Sequence, residues 1–181
     1  MAPAPSLALT IESSVRRASR RDAAALTDLI NRAYRVESFF VTGARTSEDE
    51  VRELLESGEF LLLRRHDGSL AAAVFVEADE RRARFGLLAV DPQAQGLGLG
   101  RRLVAVAEAY GRALQCEAME LCVVNIRREL PPWYEKLGYR AVGTAPFPAP
   151  DELVKPCHFI VMSKPLGDGA PDESHRAPPP P

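Results

Sequence analysis

The sequence predicts an α/β protein in which one mixed β-sheet is flanked by about four helices. Strand-like apolar runs and apolar residues at helical spacing succeed one another in the order β α α β β β α β α β β. That order lacks the strict alternation of a doubly wound parallel sheet. The 181 residues, of which 46% are apolar and 27% charged, fit one globular domain.

Composition argues against several classes of protein. The net charge of −2 lacks the positive excess that non-specific nucleic-acid binding needs. No apolar run approaches the length of a membrane-spanning helix, and the first residues show no secretory signal pattern, so we expect no membrane partner. Cys116, Cys122 and Cys157 are an odd number without CxxC spacing. They favour a reducing cytoplasm over a disulfide framework or a metal site.

Two helices are predicted in the first third of the chain. Ser19 with Asp22, and Thr46 with Asp49, each form an N-terminal capping pattern in which a hydroxyl precedes an acidic residue by three positions. Gly58 ends the second helix. Apolar residues at helical spacing follow the caps: Leu26, Leu29, Ile30 and Ala33, then Val51, Leu54 and Leu55.

A β-hairpin and a buried strand are predicted next. Residues 66–69, His-Asp-Gly-Ser, separate two apolar runs, and Asp-Gly accepts the positive φ of a tight hairpin turn. The run RARFGLLAV at residues 82–90 is almost continuously apolar, so we expect this strand to be buried on both faces.

A glycine-rich stretch, QGLGLG at residues 95–100, leads into the third predicted helix. Amide groups at a helix N-terminus attract anions, and glycines leave room for close approach. Arg101 and Arg102 add positive charge, so we expect a diphosphate here. The stretch lacks the Lys-Ser/Thr of a P-loop and the GxGxxG of a dinucleotide fold. The helix carries an apolar stripe of Leu103, Val106, Ala107, Tyr110 and Leu114.

The remaining elements are a strand, a short helix and closing strands. In EAMELCVVN at residues 117–125, alternate residues form one apolar face. PPWYEKLG at residues 131–138 has prolines suited to a first helical turn and a glycine suited to a left-handed helix end. CHFIVMSK at residues 157–164 reads as a strand. From Gly167 onward, Pro- and Gly-rich composition predicts a disordered tail beyond a domain of residues 1–166.

Two motifs resemble those of the GNAT-type N-acetyltransferase family. LAVDPQAQGLGLGRRLV contains Gln95, Gly98 and Gly100 in the family's acyl-CoA-binding pattern, Gln/Arg-x-x-Gly-x-Gly/Ala after a strand. NIRRELPPWYEKLGYRAVG is similar to the family's second signature, in which Asn, then Tyr, then Leu-Gly-Tyr/Phe follow the next strand. The resemblance extends from about Val15 to Lys164.

The resemblance implies the GNAT fold: a mixed, mostly antiparallel sheet of six to seven strands that splays into a V-shaped cleft. It also implies acetyl-CoA as cofactor. Pantetheine would then lie along the backbone of Leu88, Ala89 and Val90, and the diphosphate on backbone amides of Gln95, Gly96, Leu97, Gly98, Gly100 and Arg101. Asn125 matches a position that often binds pantetheine or a water, with a capping role as the alternative. Tyr134 matches the family's general acid, with a core role as the alternative.

The resemblance does not identify the general base. Many family members carry a Glu on the strand before the glycine loop, where this sequence has Arg84 and Gly86. Glu37, or an ordered water, is the candidate that would deprotonate the amine.

A substrate wall is predicted between the first two helices. Tyr34, Phe39 and Phe40 place three aromatic residues in this connection, where they either contact substrate or staple the loop to the core. His158, at the start of the last strand, is a further substrate candidate.

We therefore expect a cytoplasmic enzyme that transfers an acetyl group from acetyl-CoA to a primary amine of a small molecule, with Tyr134 as general acid. The alternatives are acetylation of a protein or peptide amine, and a non-catalytic acyl-CoA-binding regulatory module. The sequence leaves both a monomer and a homodimer open.

Overall fold

The computed structural model describes residues 11–12, 14–148 and 150–167, which form a seven-stranded sheet with four α-helices. The predicted tail beyond Gly167 lies outside the described residues. The strands are β1 (Arg16–Arg17), β2 (Glu59–Arg64), β3 (Leu70–Ala78), β4 (Arg82–Val90), β5 (Ala118–Val124), β6 (Arg140–Pro146) and β7 (His158–Pro165). The helices are α1 (Ala23–Ala33), α2 (Glu48–Ser57), α3 (Leu99–Ala113) and α4 (Leu130–Glu135).

The sheet has the strand order β1-β2-β3-β4-β5-β7-β6. β4 and β5 are parallel, and every other neighbouring pair is antiparallel. The mixed, mostly antiparallel sheet and the predicted element order are confirmed. Among the described residues, no helix combines the length and apolarity needed to cross a bilayer.

The core lies in two layers, one on each face of the sheet. α1 and α2 cover one face through Leu26, Leu29 and Val51, which pack on Phe60 and Phe75. α3 covers the other face, where its apolar residues pack with those of β4, β5 and β7: Leu103, Ala107, Phe85, Met119, Leu121 and Met162. Burying a leucine fully contributes about 1.5–3 kcal/mol, so these layers hold the sheet as a rigid platform.

The predicted hairpin and first helix cap are confirmed. β2 and β3 are joined through Asp67-Gly68, where Gly68 has a φ of 85° and Asp67 Oδ1 accepts from the Ser69 N–H at 2.9 Å. Ser19 and Asp22 form a capping box on a 3₁₀ turn that runs into α1. Both features depend on residues within four positions of each other, which is why the sequence reveals them.

Two local predictions are wrong. The cap of α2 is Ser47 and not Thr46: Ser47 Oγ accepts from the Glu50 N–H at 3.2 Å, and the Glu50 carboxylate accepts from the Ser47 N–H at 2.7 Å. Thr46 is instead buried and donates its hydroxyl to Glu50 at 3.0 Å. β4 is not buried on both faces, because Arg82 and Arg84 are exposed and bind Glu120 on β5.

Candidate active site

β4 and β5 are paired only at their first residues and then separate. Residues 82–84 pair with residues 118–120, although both strands continue beyond this point. In β4, Leu87 has a φ of 47°, and the register against β3 shifts there. A bulge of this kind bends the strand away from its neighbour, at a cost of about 1 kcal/mol or more for a left-handed leucine. The two strands therefore open a cleft between their C-terminal ends.

The loop between β4 and α3 presents a run of free backbone N–H groups. Gly96 and Gly98 have φ angles of 80° and 75°, and Gly98 caps α3 without a side-chain hydrogen bond. Within the described part of the chain, no N–H group of residues 96–101 donates to a protein acceptor. A Cβ built at either glycine would have no atom within 4 Å, so the space beside them is open. The positive end of the 15-residue α3 dipole lies at the same point, and this arrangement fits a diphosphate.

The other predicted cofactor residues on this side of the cleft surround the free N–H groups. Leu88, Ala89 and Val90 are the last residues of β4, beyond the bulge and without a β5 partner. Gln95, Leu97 and Arg101 are exposed, and Gln95 Nε2 lies 3.5 Å from the Val90 carbonyl oxygen.

Trp133 connects the glycine loop with α4. A Cβ built at Gly100 would lie 3.7 Å from the indole ring of Trp133. The same indole packs edge-on against Tyr134, with ring centroids 4.7 Å apart. The start of α3 and the phenol of Tyr134 therefore share one wall of the cleft.

Tyr134 has a buried ring and a hydroxyl without a protein partner. Its ring packs between Phe85 and Tyr139, with centroids 6.0 Å and 5.9 Å away. The hydroxyl forms no hydrogen bond to a described residue, and it is not among the fully enclosed polar atoms. Burial raises the pKa of this phenol above its ordinary range, and Tyr34 adds to the rise while Arg127 opposes it. The phenol is therefore protonated at neutral pH and available as a donor.

Glu37 is a buried carboxylate held by one arginine. It ends the 3₁₀ turn that follows α1, and only 7% of the residue is exposed. Arg127 Nη1 donates to Glu37 Oε1 at 3.1 Å, while Oε2 has no hydrogen bond to a described residue and is not enclosed. Burial raises the pKa of the carboxyl, and this effect outweighs the lowering by Arg127 and Arg45. Such a carboxylate is a stronger base than an exposed one.

Tyr34 joins Glu37 and Tyr134 in one electrostatic group. Burial raises the pKa of Tyr34 to about 12, with Arg45 and Arg127 opposing the rise and Glu37 adding to it. Arg127 influences all three groups. The structure thus brings together Tyr34, Glu37 and Tyr134 from separate parts of the sequence.

The two phenylalanines of the predicted substrate wall differ in exposure. Phe40 is fully buried and packs against Phe147, with ring centroids 6.5 Å apart, so it staples the segment to the core as the alternative interpretation held. Its ring has no surface to offer a substrate. Phe39 is 43% exposed. A bridge between Val41 and Leu153 fixes this segment to the β6–β7 loop.

Asn125 and His158 lie together at the end of β5. Asn125 Oδ1 accepts from the His158 N–H at 3.0 Å, and the Asn125 N–H donates to the His158 carbonyl at 3.0 Å. This pair extends the β5–β7 ladder by one step. The His158 residue is exposed, and the amide nitrogen of Asn125 makes no hydrogen bond to the described part of the chain.

The model of the acetyltransferase (GNAT) family matches residues 23–139, which span β4, the glycine loop and α4. The chain belongs to the GNAT family. It is an acyltransferase that depends on acetyl-CoA, in keeping with the family.

Solved structures of GNAT enzymes share the fold at low sequence identity. The ribosomal-protein-S18-alanine N-acetyltransferase of Escherichia coli is 20% identical, with a TM-score of 0.70 over 88% of this chain and 97% of that chain. Nourseothricin acetyltransferase is 20% identical, with a TM-score of 0.66 over 85% and 98%. A GNAT acetyltransferase from Streptococcus pneumoniae is 21% identical, with a TM-score of 0.65 over 85% and 99%. A comparison with curated protein sequences finds no match.

The sequence analysis did not identify two arginines of this GNAT site, Arg127 and Arg45. Arg127 binds Glu37 across 90 positions of sequence. It stands beside Arg128 in a polar turn, and nothing in the sequence separates the two. Arg45, whose guanidinium carbon lies 5.1 Å from the centroid of the Tyr34 ring, sits among polar residues before α2. Contacts of this range leave no periodic signal.

Proposed function

We propose that this GNAT enzyme acetylates the primary amine of a small molecule by direct attack on acetyl-CoA, with Glu37 and Tyr134 handling the two protons. The observation that carries the proposal is the grouping around the cleft. The N–H groups of the glycine loop, Glu37 Oε2 and the Tyr134 hydroxyl all lack hydrogen bonds to described residues, and Trp133 links the loop to Tyr134.

The residues of the cleft fit acetyl-CoA, which supplies a thioester carbonyl. The N–H groups of residues 96–101, with Arg101, would hold the diphosphate without any side chain in the way. The freed edge of Leu88, Ala89 and Val90 offers backbone groups to the pantetheine amides, as an added strand would use them. The side-chain amide of Asn125 lies on the opposite strand and would donate its N–H groups.

Glu37 is the proposed base for the amine. An attacking nitrogen must lose one proton, and a carboxylate with a raised pKa takes it more readily than an exposed one. Arg127 fixes the orientation of the carboxylate through Oε1 and leaves Oε2 without a hydrogen bond to a described residue. The missing Glu on β4 is thereby replaced from a different element.

Tyr134 is the proposed donor to the departing sulfur. With ordinary pKa values of about 10 for a phenol and 8.5 for a thiol, full proton transfer to a thiolate is unfavourable by about 2 kcal/mol. Burial raises the pKa of Tyr134 and adds to this cost. The hydroxyl therefore acts first by hydrogen bonding to the developing negative charge, and its proton is delivered as the nitrogen gives up its own. Proton exchange with solvent restores both groups.

The proposed acceptor is a small molecule and not a protein. Among structures of this fold, one carries the name of a ribosomal-protein N-acetyltransferase and another that of nourseothricin acetyltransferase, so the fold serves both kinds of acceptor. The absence of a charged tract for protein tails in this sequence favours a small molecule. Three free cysteines in the described residues fit an enzyme of the reducing cytoplasm.

Release of CoA thiol from acetyl-CoA in the presence of an amine panel tests the proposal. We expect thiol release that depends on amine and enzyme, and a strongly reduced rate of release in Tyr134→Phe and Glu37→Gln. Tight acetyl-CoA binding with no thiol release for any small amine or peptide would show a non-catalytic binding module instead. Turnover of peptides alone would reassign the acceptor class.

A further inference from the structure

The acceptor side of the cleft carries an exposed cation, Arg45. The Arg45 side chain lies over the Tyr34 ring, and it forms no ion pair or hydrogen bond with another described residue. Its backbone position is fixed, because the neighbouring Thr46 exchanges two hydrogen bonds with the Asn31 side chain, at 3.0 and 2.9 Å. Arg45 is exposed, yet it is close enough to Glu37 and Tyr34 to lower the pKa of both groups.

The carboxylates around Arg45 are already engaged. Glu37 and Glu129 both accept from Arg127, at 3.1 and 2.5 Å. Glu50 accepts from the Ser47 N–H and the Thr46 hydroxyl in the cap of α2. Asp151 and Glu152, on the facing loop, form no ion pair with Arg45. No carboxylate of the described residues forms an ion pair with Arg45, so its guanidinium donors remain open to a ligand.

Apolar surface lies on the same segment. Val36, Phe39 and Val154 are 55%, 43% and 58% exposed, and they make up half of the large apolar side chains that the described residues expose. The Val154 N–H donates to the Phe40 carbonyl at 2.8 Å, which holds Val154 beside Phe39. A second cation, the Lys155 ammonium, lies 5.2 Å from the centroid of the Phe39 ring. Exposed apolar side chains grouped at a site commonly mark a binding surface.

We infer that the acceptor is an amine that also carries a carboxylate or similar oxyanion, which Arg45 binds, and an apolar body, which rests on Phe39. The inference rests on the proposed function. A guanidinium is suited to oxyanions because its donors match both oxygens in one plane. Acceptors with several positive charges are disfavoured at this end of the site, because they would face Arg45 and Lys155 together. Amino acids with apolar side chains have the required chemistry.

Matched acceptors test this inference in the complete enzyme. Phenylalanine, phenylalaninamide and 2-phenylethylamine share the apolar body and the primary amine, but only the first has a carboxylate. Thiol release gives kcat/KM for each, divided by the fraction of neutral amine at the assay pH. We expect phenylalanine to exceed the other two by about 10-fold or more, the range of a charge-assisted hydrogen bond.

Two arginine variants assign the preference. Arg45→Gln should reduce the ratio of phenylalanine to phenylalaninamide to about 1. Arg21→Gln is the matched control, since Arg21 is an exposed arginine just before α1, and Tyr34 follows the other end of this helix, which is about 16 Å long. It should keep the ratio of the unmodified enzyme.

The outcomes separate the inference from the proposed function. Equal or better use of the uncharged amines, or a ratio that survives Arg45→Gln, overturns the inference and leaves amine acetylation standing. A ratio lost equally in Arg21→Gln also overturns it, since a general charge effect would then explain the preference. If no amine, among these or any others, gives thiol release, the proposed function is overturned and the inference with it.

Discussion

Tyr134 and Tyr139 stand five positions apart and use their hydroxyls in opposite ways. The Tyr139 hydroxyl donates to Glu108 Oε1 at 3.0 Å, and Lys164 Nζ binds both oxygens of the same carboxylate at 2.8 and 2.9 Å. The Tyr134 hydroxyl has no partner among the described residues. Tyr139 therefore serves a buried polar network, whereas Tyr134 leaves its hydroxyl free for chemistry.

Replacing Tyr134 by Phe should lower kcat and spare the fold. The change removes an unpartnered hydroxyl and keeps the packed ring, so the free energy of unfolding should change by less than about 0.5 kcal/mol. The loss of a positioned donor should reduce kcat by about 10²–10⁴-fold. Steady-state kinetics measures kcat, and urea unfolding measures the free energy of unfolding.

Tyr139→Phe is the matched control. It breaks a hydrogen bond to a charged group and should cost about 1.5–3 kcal/mol of unfolding free energy, while kcat at low temperature stays close to that of the unmodified enzyme. Full activity in Tyr134→Phe would remove this residue from the chemistry.

Glu37 should govern the acid side of the pH profile. At a pH below the pKa of the amine substrate, a plot of log kcat/KM against pH has a slope of 1. Protonation of a catalytic base raises this slope to 2. Because burial raises the pKa of the Glu37 carboxyl, the slope should approach 2 at a pH above the usual range for a glutamate. In Glu37→Gln it should stay at 1 throughout. A slope of 2 that persists in this variant would point to another base.

At the level of the helices and strands, the loop before α3 both caps this helix and is the proposed binding site of the cofactor diphosphate. Gly98 has a positive φ, caps a 15-residue helix and borders open space. Asn and Asp both tolerate positive φ and are both favoured N-caps, so either replacement should preserve α3. They differ in charge alone.

Gly98→Asp and Gly98→Asn should therefore differ in acetyl-CoA affinity. A carboxylate against a diphosphate costs several kcal/mol, which corresponds to more than about 100-fold in Kd, whereas Asn adds bulk without charge and should weaken binding less. Isothermal titration measures both values, and urea unfolding confirms that the two variants are equally stable. Equal affinities for the two variants would place the diphosphate elsewhere.

At the scale of the whole molecule, local sequence patterns predicted the order of the helices and strands. Features that depend on contacts between distant residues could not be predicted in this way. The hairpin, the Ser19 cap and the glycine loop each depend on neighbouring residues. The exposed face of β4 does not: Arg82 and Arg84 lie on it and bind Glu120, which is more than 30 positions away in the sequence. Burial of adjacent aromatic residues is also not predictable from local sequence: Phe40 is buried and Phe39 is exposed, although they are neighbours in the chain.

The splayed sheet predicts that acetyl-CoA stabilises the entire domain. Over most of their length β4 and β5 lack mutual hydrogen bonds, so a ligand between them would supply contacts that the sheet itself omits. At a concentration of 100 times Kd, binding to the folded state adds about 2.7 kcal/mol, or roughly 5–10 °C in Tm for a domain of this size. Thermal unfolding with and without acetyl-CoA measures the shift.

Pantetheine, which lacks the diphosphate, should produce a smaller shift at the same concentration, and Gly98→Asp should show almost none with acetyl-CoA. An equal shift in that variant would mean that the ligand binds away from the glycine loop, and the splay would then need another explanation.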